Sequence, residues 1–281
     1  MSTNRTIPGL PPFRDYTVHR WAEGGLSEAT EQVAEEAPVA LVYNGTPHVV
    51  MMCTPVDLED FVLGFSLSEG IITRRDELHA LDIAPLGDGV QARLEIDFER
   101  YALLQNQRRN LEGRTGCGLC GAETIEQAVR HPAAVAGGAG LSVDALHRGF
   151  TELARRQSLN AATGAVHAAA WVSPDGDLTL VREDVGRHNA LDKLIGAMIG
   201  KGATFDAGAA LITSRASFEM VQKAATVGIG VVAAISAPTG YAVHLAEETG
   251  VTLIAFARNG RHNVYANGHR VHARAAADVP A

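Results

Sequence analysis

Short apolar segments alternate with amphipathic segments of about ten residues through the last third of the chain. Three of these apolar segments contain no charged residue, at 209–213, 230–235 and 251–256. A continuous apolar run is typical of a strand buried on both faces, and the segments between these runs have helical spacing. The alternation predicts an α/β fold, with a mostly parallel sheet and helices on both of its faces.

The first part of the chain predicts a smaller α+β unit. Two apolar segments flank Asn44-Gly45, which favours a tight hairpin because both residues tolerate positive φ. A helical pattern follows at 58–67, and a strand pattern at 92–97. We divide the chain into a disordered lead-in at 1–14, an α+β domain at 15–104, a mobile loop at 105–121, an α/β domain at 122–275 and a tail at 276–281. The α/β domain is predicted to open with helices at 122–129 and 143–156.

Composition and charge exclude several classes of protein. Of the 281 residues, 46% are apolar and 20% are charged, as in soluble globular proteins. The net charge of −8 argues against nucleic acid as a general partner. No apolar run approaches the roughly 18 residues that cross a bilayer, and the first residues contain no hydrophobic signal core. We therefore expect a cytoplasmic protein with no membrane association.

Two of the three cysteines lie in a glycine-rich segment, Gly113-Arg114-Thr115-Gly116-Cys117-Gly118-Leu119-Cys120-Gly121. Because glycine leaves the backbone free, this segment predicts an exposed loop, where cysteines serve chemistry rather than packing. So few cysteines in a reducing compartment argue against a disulfide scaffold. The third cysteine, Cys53, follows an apolar strand and is predicted to be buried and inert.

Three kinds of chemistry use two cysteines at this spacing. A structural zinc site needs four ligands, and a zinc deaminase needs an upstream His-x-Glu, which the chain lacks. A thioredoxin-like pair caps a helix near the start of a βαβ unit, whereas Cys117 and Cys120 lie in the predicted loop. The third interpretation is a nucleophilic or sulfur-carrying thiolate, favoured by Arg114 and by the helix predicted from Ala122. We place it first and a redox pair second, and we expect no metal.

Polar clusters follow four of the predicted C-terminal strands, at 182–189, 213–217, 236–240 and 256–261. Carboxyl ends of parallel strands meet at one edge of a sheet, so we expect the clusters to form one rim. Arginines, hydroxyls and helix N-termini suit a phosphate or pyrophosphate. The candidate donors are Arg187, Ser214, Arg215, Ser217, Thr239, Arg258 and Arg261. The candidate acceptors for a base or pterin N–H are Glu183, Asp184 and Asp192. Any one cluster alone is explained by helix caps and surface ion pairs, and only their convergence favours a site.

Two histidines are further candidates. His167 lies within an apolar strand pattern, which leaves two interpretations open: a hydrogen-bonded core residue, or a donor or acid facing a ligand. His188 follows Arg187 at a predicted helix start and is the better candidate for contact with a ligand.

Four motifs together resemble one family, the formate dehydrogenase accessory sulfurtransferases (FdhD). The motifs are Thr115-Gly116-Cys117-Gly118-Leu119-Cys120-Gly121, Gly164-Ala165-Val166-His167-Ala168-Ala169, the run from Glu183 to Lys193 and the run from Ser214 to Lys223. The resemblance extends from about Tyr16 to Tyr265. It implies a cytidine-deaminase-like C-terminal domain without the deaminase zinc site, and a homodimer.

The resemblance also implies a function. Members take persulfide sulfur from a cysteine desulfurase and pass it to the molybdenum or tungsten cofactor that carries two molybdopterin guanine dinucleotides, for use by formate dehydrogenase. Carried over by position, Cys117 bears the persulfide and Cys120 is its partner. Six residues match the cofactor-binding stretch of the family: Phe256, Ala257, Arg258, Asn259, Gly260 and Arg261. The competing hypothesis is a non-catalytic chaperone that delivers the cofactor to apo-formate dehydrogenase, and a redox regulator is a distant third.

Overall fold

The computed structural model describes residues 7, 9–22, 24–109, 132–138 and 140–273. The strands are β1 Phe13–Ala22, β2 Gly25–Ala34, β3 Ala37–Tyr43, β4 Thr46–Cys53, β5 Leu78–Leu86, β6 Gly89–Ile96, β7 Leu141–Ser142, β8 His167–Val172, β9 Leu178–Asp184, β10 Ala209–Ile212, β11 Val231–Ala234, β12 Thr252–Arg258, β13 Arg261–Ala266 and β14 Val271–His272. The α-helices are α1 Leu58–Ser68, α2 Phe98–Arg109, α3 Val143–Arg156, α4 Ser158–Thr163, α5 Arg187–Gly200, α6 Phe218–Thr226 and α7 Gly240–Thr249. Short 3₁₀ turns lie at Arg75–Glu77 and Gly268–Arg270.

A six-stranded sheet in the order β13-β12-β11-β10-β8-β9 forms the centre of the C-terminal part. The α/β class is confirmed, but the prediction of a mostly parallel sheet is wrong. Only β10–β11 and β11–β12 pair in parallel, whereas β8 is antiparallel to both β9 and β10, and β13 is antiparallel to β12. The reason is local, because β8–β9 and β12–β13 are hairpins, which can only pair antiparallel. The cytidine-deaminase-like topology stays a prediction.

Helices cover both faces of this sheet, as predicted. On one face, α5, α6 and α7 bury their apolar sides in a core that includes Leu191, Met220 and Leu245. On the other face, α3 buries Leu146 and Phe150 against a second cluster of strand residues. Since β10, β11 and β12 point side chains into both cores, they need the continuous apolar runs that the sequence contains.

The N-terminal part contains a four-stranded sheet in the order β4-β3-β6-β5 and a separate two-stranded sheet of β1 and β2. The predicted hairpin at Asn44-Gly45 is confirmed, with φ of 45° and 80°. Helix α1 packs on this sheet and also against α5, so one continuous core joins the two sheets.

Two predicted boundaries are wrong. Strand β1 begins at Phe13, so residues 13 and 14 do not belong to a disordered lead-in. Helix α2 continues to Arg109, so residues 105–109 do not belong to the CxxC loop. The segment from Tyr101 to Arg109 contains neither Gly nor Pro, and nothing in it ends a helix. The rest of the predicted loop, the predicted helix at 122–129 and the tail lie outside the described residues. In the described part of the chain, no helix combines the length and apolar character needed to span a bilayer.

Candidate functional site

The predicted rim exists although the sheet is mixed. Because β8 runs against both of its neighbours, β9 points in the same direction as β10, β11 and β12. Contacts between the following loops hold the rim together. Ala216 bridges to Pro238, and the backbone N–H of Phe256 donates to the carbonyl of Ser236 at 3.1 Å. The carboxyl ends of four strands therefore lie along one edge.

Arg187 and His188 begin helix α5 at this edge and face the first turn of α6. The Nε2 atom of His188 lies 2.8 Å from Oε2 of Glu219, and an Arg187 guanidinium nitrogen lies 3.5 Å from the same oxygen. The nearby imidazole of His188, helped by the charge of Arg187, lowers the pKa of Glu219 and keeps its carboxylate ionised. The Nε of Arg187 is buried and has no hydrogen-bond partner among the described residues.

A second donor without a partner lies beside it. Ser217 is the N-cap residue of α6, yet its hydroxyl makes no capping hydrogen bond. That hydroxyl oxygen is buried and unpartnered within the described part of the chain. Buried polar groups are normally satisfied, so two such groups, one at the start of α5 and one at the start of α6, indicate a place for a polar ligand. The N-terminus of α6 and the Arg187 charge favour an anion there.

His167 occupies the first position of β8, on the same edge of the sheet. Its side chain is half-buried, and burial lowers the pKa of the imidazole, as do the charges of Arg187 and His188. The imidazole is therefore neutral at pH 7, able to accept a proton or a hydrogen bond. This geometry favours the interpretation that His167 faces the rim rather than a closed core.

The three carboxylates predicted to bind a base or pterin instead form hydrogen bonds and ion pairs within the protein. Asp184 is fully buried, lies 2.6 Å from Nζ of Lys193 and accepts hydrogen bonds from the backbone of Thr54 and Gly186. Glu183 accepts hydrogen bonds from two backbone N–H groups at the start of α4. Asp192 pairs with Lys223 at 2.9 Å. Their charges are satisfied, so the prediction that they recognise a ligand is wrong.

Two of the predicted hydroxyl donors also make hydrogen bonds within the protein. The hydroxyl of Thr239 caps α7 by accepting from the N–H of Ala242 at 3.4 Å. The buried Ser214 donates to the carbonyl of Arg215 at 3.0 Å. The side chain of Arg215 is exposed at the edge. Among the residues predicted around α6, Arg187, Arg215 and Ser217 keep donors available.

The stretch from Phe256 to Arg261 forms the end of β12 and a tight turn into β13. Asn259 and Gly260 have φ of 53° and 72°, which is a type I′ hairpin turn, and Arg258 pairs with Arg261 across it. Both arginines are exposed. Since β12 and β9 are four positions apart in the sheet, this hairpin and the end of β9 are about 19 Å apart by strand spacing. The predicted residues thus form two groups along one edge.

Residues 34–272 match the profile of the FdhD/NarQ family. The chain belongs to the FdhD/NarQ family. It is 52% identical over 261 residues to the sulfur carrier protein FdhD of Cupriavidus necator, covering 93% of this chain and 91% of that one. It is 49% identical to the protein of the same name from Xanthomonas euvesicatoria pv. vesicatoria, covering 94% of each chain. A solved structure, described as a formate dehydrogenase accessory protein from Desulfotalea psychrophila, matches with a TM-score of 0.76 and 26% identity, covering 93% of this chain and 100% of that one.

The resemblance to this family that the sequence motifs indicated is therefore confirmed, while the role of each residue is not tested by these matches. Cys117 and Cys120 lie outside the described residues. The third cysteine, Cys53, is fully buried, and burial together with the Asp184 carboxylate raises the pKa of its thiol well above the ordinary value. The predicted burial of Cys53 is therefore confirmed, and its thiol is held in the protonated form. No group of three or more potential metal ligands occurs in the described part of the chain.

Sequence reasoning missed two parts of this FdhD/NarQ structure. Glu219 was not predicted to hold Arg187 and His188, because nothing in its helical segment distinguishes it from a solvated charge. Helix α3 was not assigned to any site, although its polar side borders the hairpin turn at Arg258 across a cleft of about 1040 Å³. Its basic residues looked like the solvated side of an amphipathic helix, and only the packing of the hairpin beside it shows otherwise.

Proposed function

We propose that this chain is a sulfur carrier that serves the maturation of formate dehydrogenase. In this proposal, Cys117 accepts sulfur from the persulfide of a cysteine desulfurase. The sulfur is then delivered to the bis(molybdopterin guanine dinucleotide) cofactor, which is the cargo and not a resident group. The names of the relatives from Cupriavidus and Xanthomonas support the sulfur-carrying part.

The observation that carries the proposal concerns the cysteines. The chain contains three, and Cys53 is buried with a thiol that resists ionisation. Sulfur transfer needs an accessible thiolate as nucleophile. A sulfur atom carried on cysteine must therefore reside on Cys117 or Cys120. The resemblance to the family assigns Cys117 as the first acceptor.

The loading step is a thiol–persulfide exchange. The Cys117 thiolate attacks the terminal sulfur of the desulfurase persulfide, the sulfur–sulfur bond in the desulfurase breaks, and the desulfurase cysteine leaves as a thiolate. Two unloading routes then differ in the role of Cys120. In the first, the Cys120 thiolate attacks the inner sulfur of Cys117, hydrosulfide leaves for the metal, and a dithiol reductant later reduces the Cys117–Cys120 disulfide. In the second, the Cys120 thiolate attacks the terminal sulfur and Cys117 leaves as a thiolate. An external dithiol then releases that sulfur from Cys120 as hydrosulfide and is itself oxidised to a disulfide, so that no Cys117–Cys120 disulfide forms.

The rim offers what an elongated anionic cargo requires. Arg187 and Ser217 provide buried donors without partners at one group, and Arg258 and Arg261 provide exposed guanidinium groups at the other. Guanidinium groups match the geometry of phosphate oxygens. A ligand with two nucleotide arms is long enough to reach both groups, whereas a single phosphate is not. His167 lies at the same edge as a neutral base or donor.

The test measures sulfur loading in variants that each lack one of the three cysteines. Each of Cys117→Ala, Cys120→Ala and Cys53→Ala is incubated with desulfurase and cysteine, and mass spectrometry measures the added sulfur. We expect Cys117→Ala to carry none and Cys53→Ala, the matched control, to load like the parent chain. If Cys117→Ala still carries sulfur and supports formate dehydrogenase, the assignment is wrong.

The same experiment separates a carrier from a chaperone. A chaperone without sulfur chemistry would support formate dehydrogenase activity in the Cys117→Ala, Cys120→Ala double variant. The unloading routes are distinguished by the mass of the protein after delivery. The disulfide route leaves a product two hydrogen atoms lighter than the reduced chain, and the relay route does not.

A further inference from the structure

Three buried side-chain atoms without a well-formed hydrogen bond lie where helices α5 and α6 begin. They are Nε of Arg187, Nε2 of His188 and the hydroxyl oxygen of Ser217, and none has a partner of proper geometry among the described residues. Arg187 and His188 both contact the same oxygen of Glu219, and Ser217 lies two positions before Glu219 at the start of α6. These four side chains line one small site, which we call the α6 pocket.

The α6 pocket is open to a small solute. The side chains of Arg187, His188 and Glu219 are 33%, 27% and 36% exposed, although the Nε and Nε2 atoms of the first two are buried. A buried polar group without a partner costs about 1–3 kcal/mol, and folded proteins contain few of them. A ligand that accepts hydrogen bonds from these atoms would remove that cost.

The charges around the α6 pocket favour an anion. The guanidinium of Arg187 is positive, and two helices begin at the pocket, α5 with Arg187 itself and α6 after Ser217. Each helix start adds unpaired backbone N–H groups and the positive end of a helix dipole. The hydroxyl of Ser217 is free to donate, because it does not cap its own helix.

A phosphate group fits the α6 pocket poorly. Arginine binds phosphate best with two parallel N–H groups, but one terminal nitrogen of Arg187 already faces Glu219 at 3.5 Å. The carboxylate of Glu219 is ionised and would repel the oxygens of a phosphate diester, which carries no proton. The ligand that suits the pocket is a small anion that accepts from Arg187 and Ser217 and also offers one proton to Glu219.

We infer that the α6 pocket binds hydrosulfide, with Arg187 Nε and the Ser217 hydroxyl donating to the sulfur and the S–H group facing Glu219. The inference rests on the proposed function, because hydrosulfide is the form in which sulfur leaves the cysteines in both unloading routes. No covalent bond changes on binding, and the pocket holds the released anion at the rim until the cargo takes it. Glu219 selects the ligand, since a halide has no proton to offer it, and His188 is a positioning residue for Glu219.

The test is calorimetry on the full chain in its reduced form, with sodium hydrosulfide as the probe. Bromide is the control ligand, because it has the same charge and a similar size but no proton. We expect hydrosulfide to bind severalfold more tightly than bromide. The Cys117→Ala, Cys120→Ala double variant should bind hydrosulfide as the parent chain does, which shows that the heat does not come from reactions of these cysteines.

Variants of the α6 pocket test each contact. Arg187→Gln should weaken hydrosulfide binding about tenfold, as for the loss of one charge-assisted hydrogen bond, and Ser217→Ala should weaken it less. Glu219→Gln should remove the preference for hydrosulfide over bromide. Arg93→Gln, which changes an exposed arginine on β6, is the matched control and should bind as the parent chain does. Unchanged thermal unfolding shows that the variants remain folded.

Three results would overturn the inference. The parent chain does not bind hydrosulfide, Arg187→Gln binds it equally well, or Glu219→Gln keeps the preference for hydrosulfide over bromide. Each of these leaves the sulfur-carrier proposal standing if Cys117 still loads sulfur. Conversely, a chain that binds hydrosulfide in the α6 pocket but never loads sulfur refutes the carrier and keeps the pocket.

Discussion

Gly64 of α1 and Gly196 of α5 lie against each other where the two helices cross. A Cβ atom placed on either glycine would lie 2.8 Å from the backbone nitrogen of the other. The same atoms would overlap the carbonyl oxygens of Asp192 and Asp60. The two helices therefore touch backbone to backbone, and this contact joins the N-terminal sheet to the α/β part.

Substitution at this crossing should separate the helices. We expect Gly64→Ala or Gly196→Ala to lower the free energy of unfolding by about 3 kcal/mol, the upper end of the cost of overpacking. Gly240→Ala is the matched control, because its Cβ would meet no atom within 4 Å. That change should alter stability by less than about 1 kcal/mol. Chemical denaturation measures all three, and equal effects would show that the crossing tolerates a methyl group.

A buried ion pair beside the rim provides a second prediction. Lys193 and Asp184 are both fully buried, 2.6 Å apart, and both bind the backbone of Thr54 in the N-terminal part. Lys193→Met leaves the carboxylate without its cation, which should cost about 3–5 kcal/mol. Lys193→Met in an Asp184→Asn background should lower the free energy of unfolding by less, because no buried carboxylate is then left without a cation. A double-mutant cycle by denaturation measures the coupling, and additive costs would contradict it.

His147 of α3 and His262 of β13 make a prediction about pH, because Nε2 of the first lies 3.2 Å from Nδ1 of the second. Burial lowers the pKa of His262, and the neighbouring His147 lowers it further. The neutral form is favoured in the folded state, so its contribution to stability is complete above the ordinary value near 6.5 and is lost as pH falls towards the lowered one. NMR titration should place the midpoint of His262 below 6.5. In His147→Gln the midpoint should rise but stay below the ordinary value, because burial is the larger cause. A midpoint that falls in this variant would contradict the assigned repulsion.

The rim donors make a prediction that separates loading from delivery. Arg187→Gln should leave sulfur loading of Cys117 unchanged, because Cys117 and not the rim meets the sulfur donor in the proposed mechanism. Activation of formate dehydrogenase should fall severalfold, since the buried Nε donor is lost. Ser217→Ala should have a smaller effect in the same direction. Mass spectrometry and a formate oxidation assay measure the two steps, and a variant that fails at loading would place Arg187 elsewhere in the mechanism.

Much of this protein follows from local patterns in the chain. The continuous apolar runs predicted β10, β11 and β12, and Asn44-Gly45 predicted the hairpin between β3 and β4. The burial of Cys53 also followed from its position after an apolar strand. Local patterns determine these features because burial on both faces, positive φ and helical spacing are properties of a few consecutive residues.

The direction of the strands depended on contacts between distant residues, and so did the pairing of each charged side chain. Sequence patterns did not show that β8 lies between β9 and β10, which makes the sheet mixed and still aligns the ends of four strands. Asp184 looked like a ligand residue until its pairing with Lys193 was known, and α3 looked solvated until the hairpin was placed beside it. The sequence alone does not show whether a polar side chain is paired within the protein or free to bind a ligand. That depends on which groups the fold brings within hydrogen-bonding distance of it.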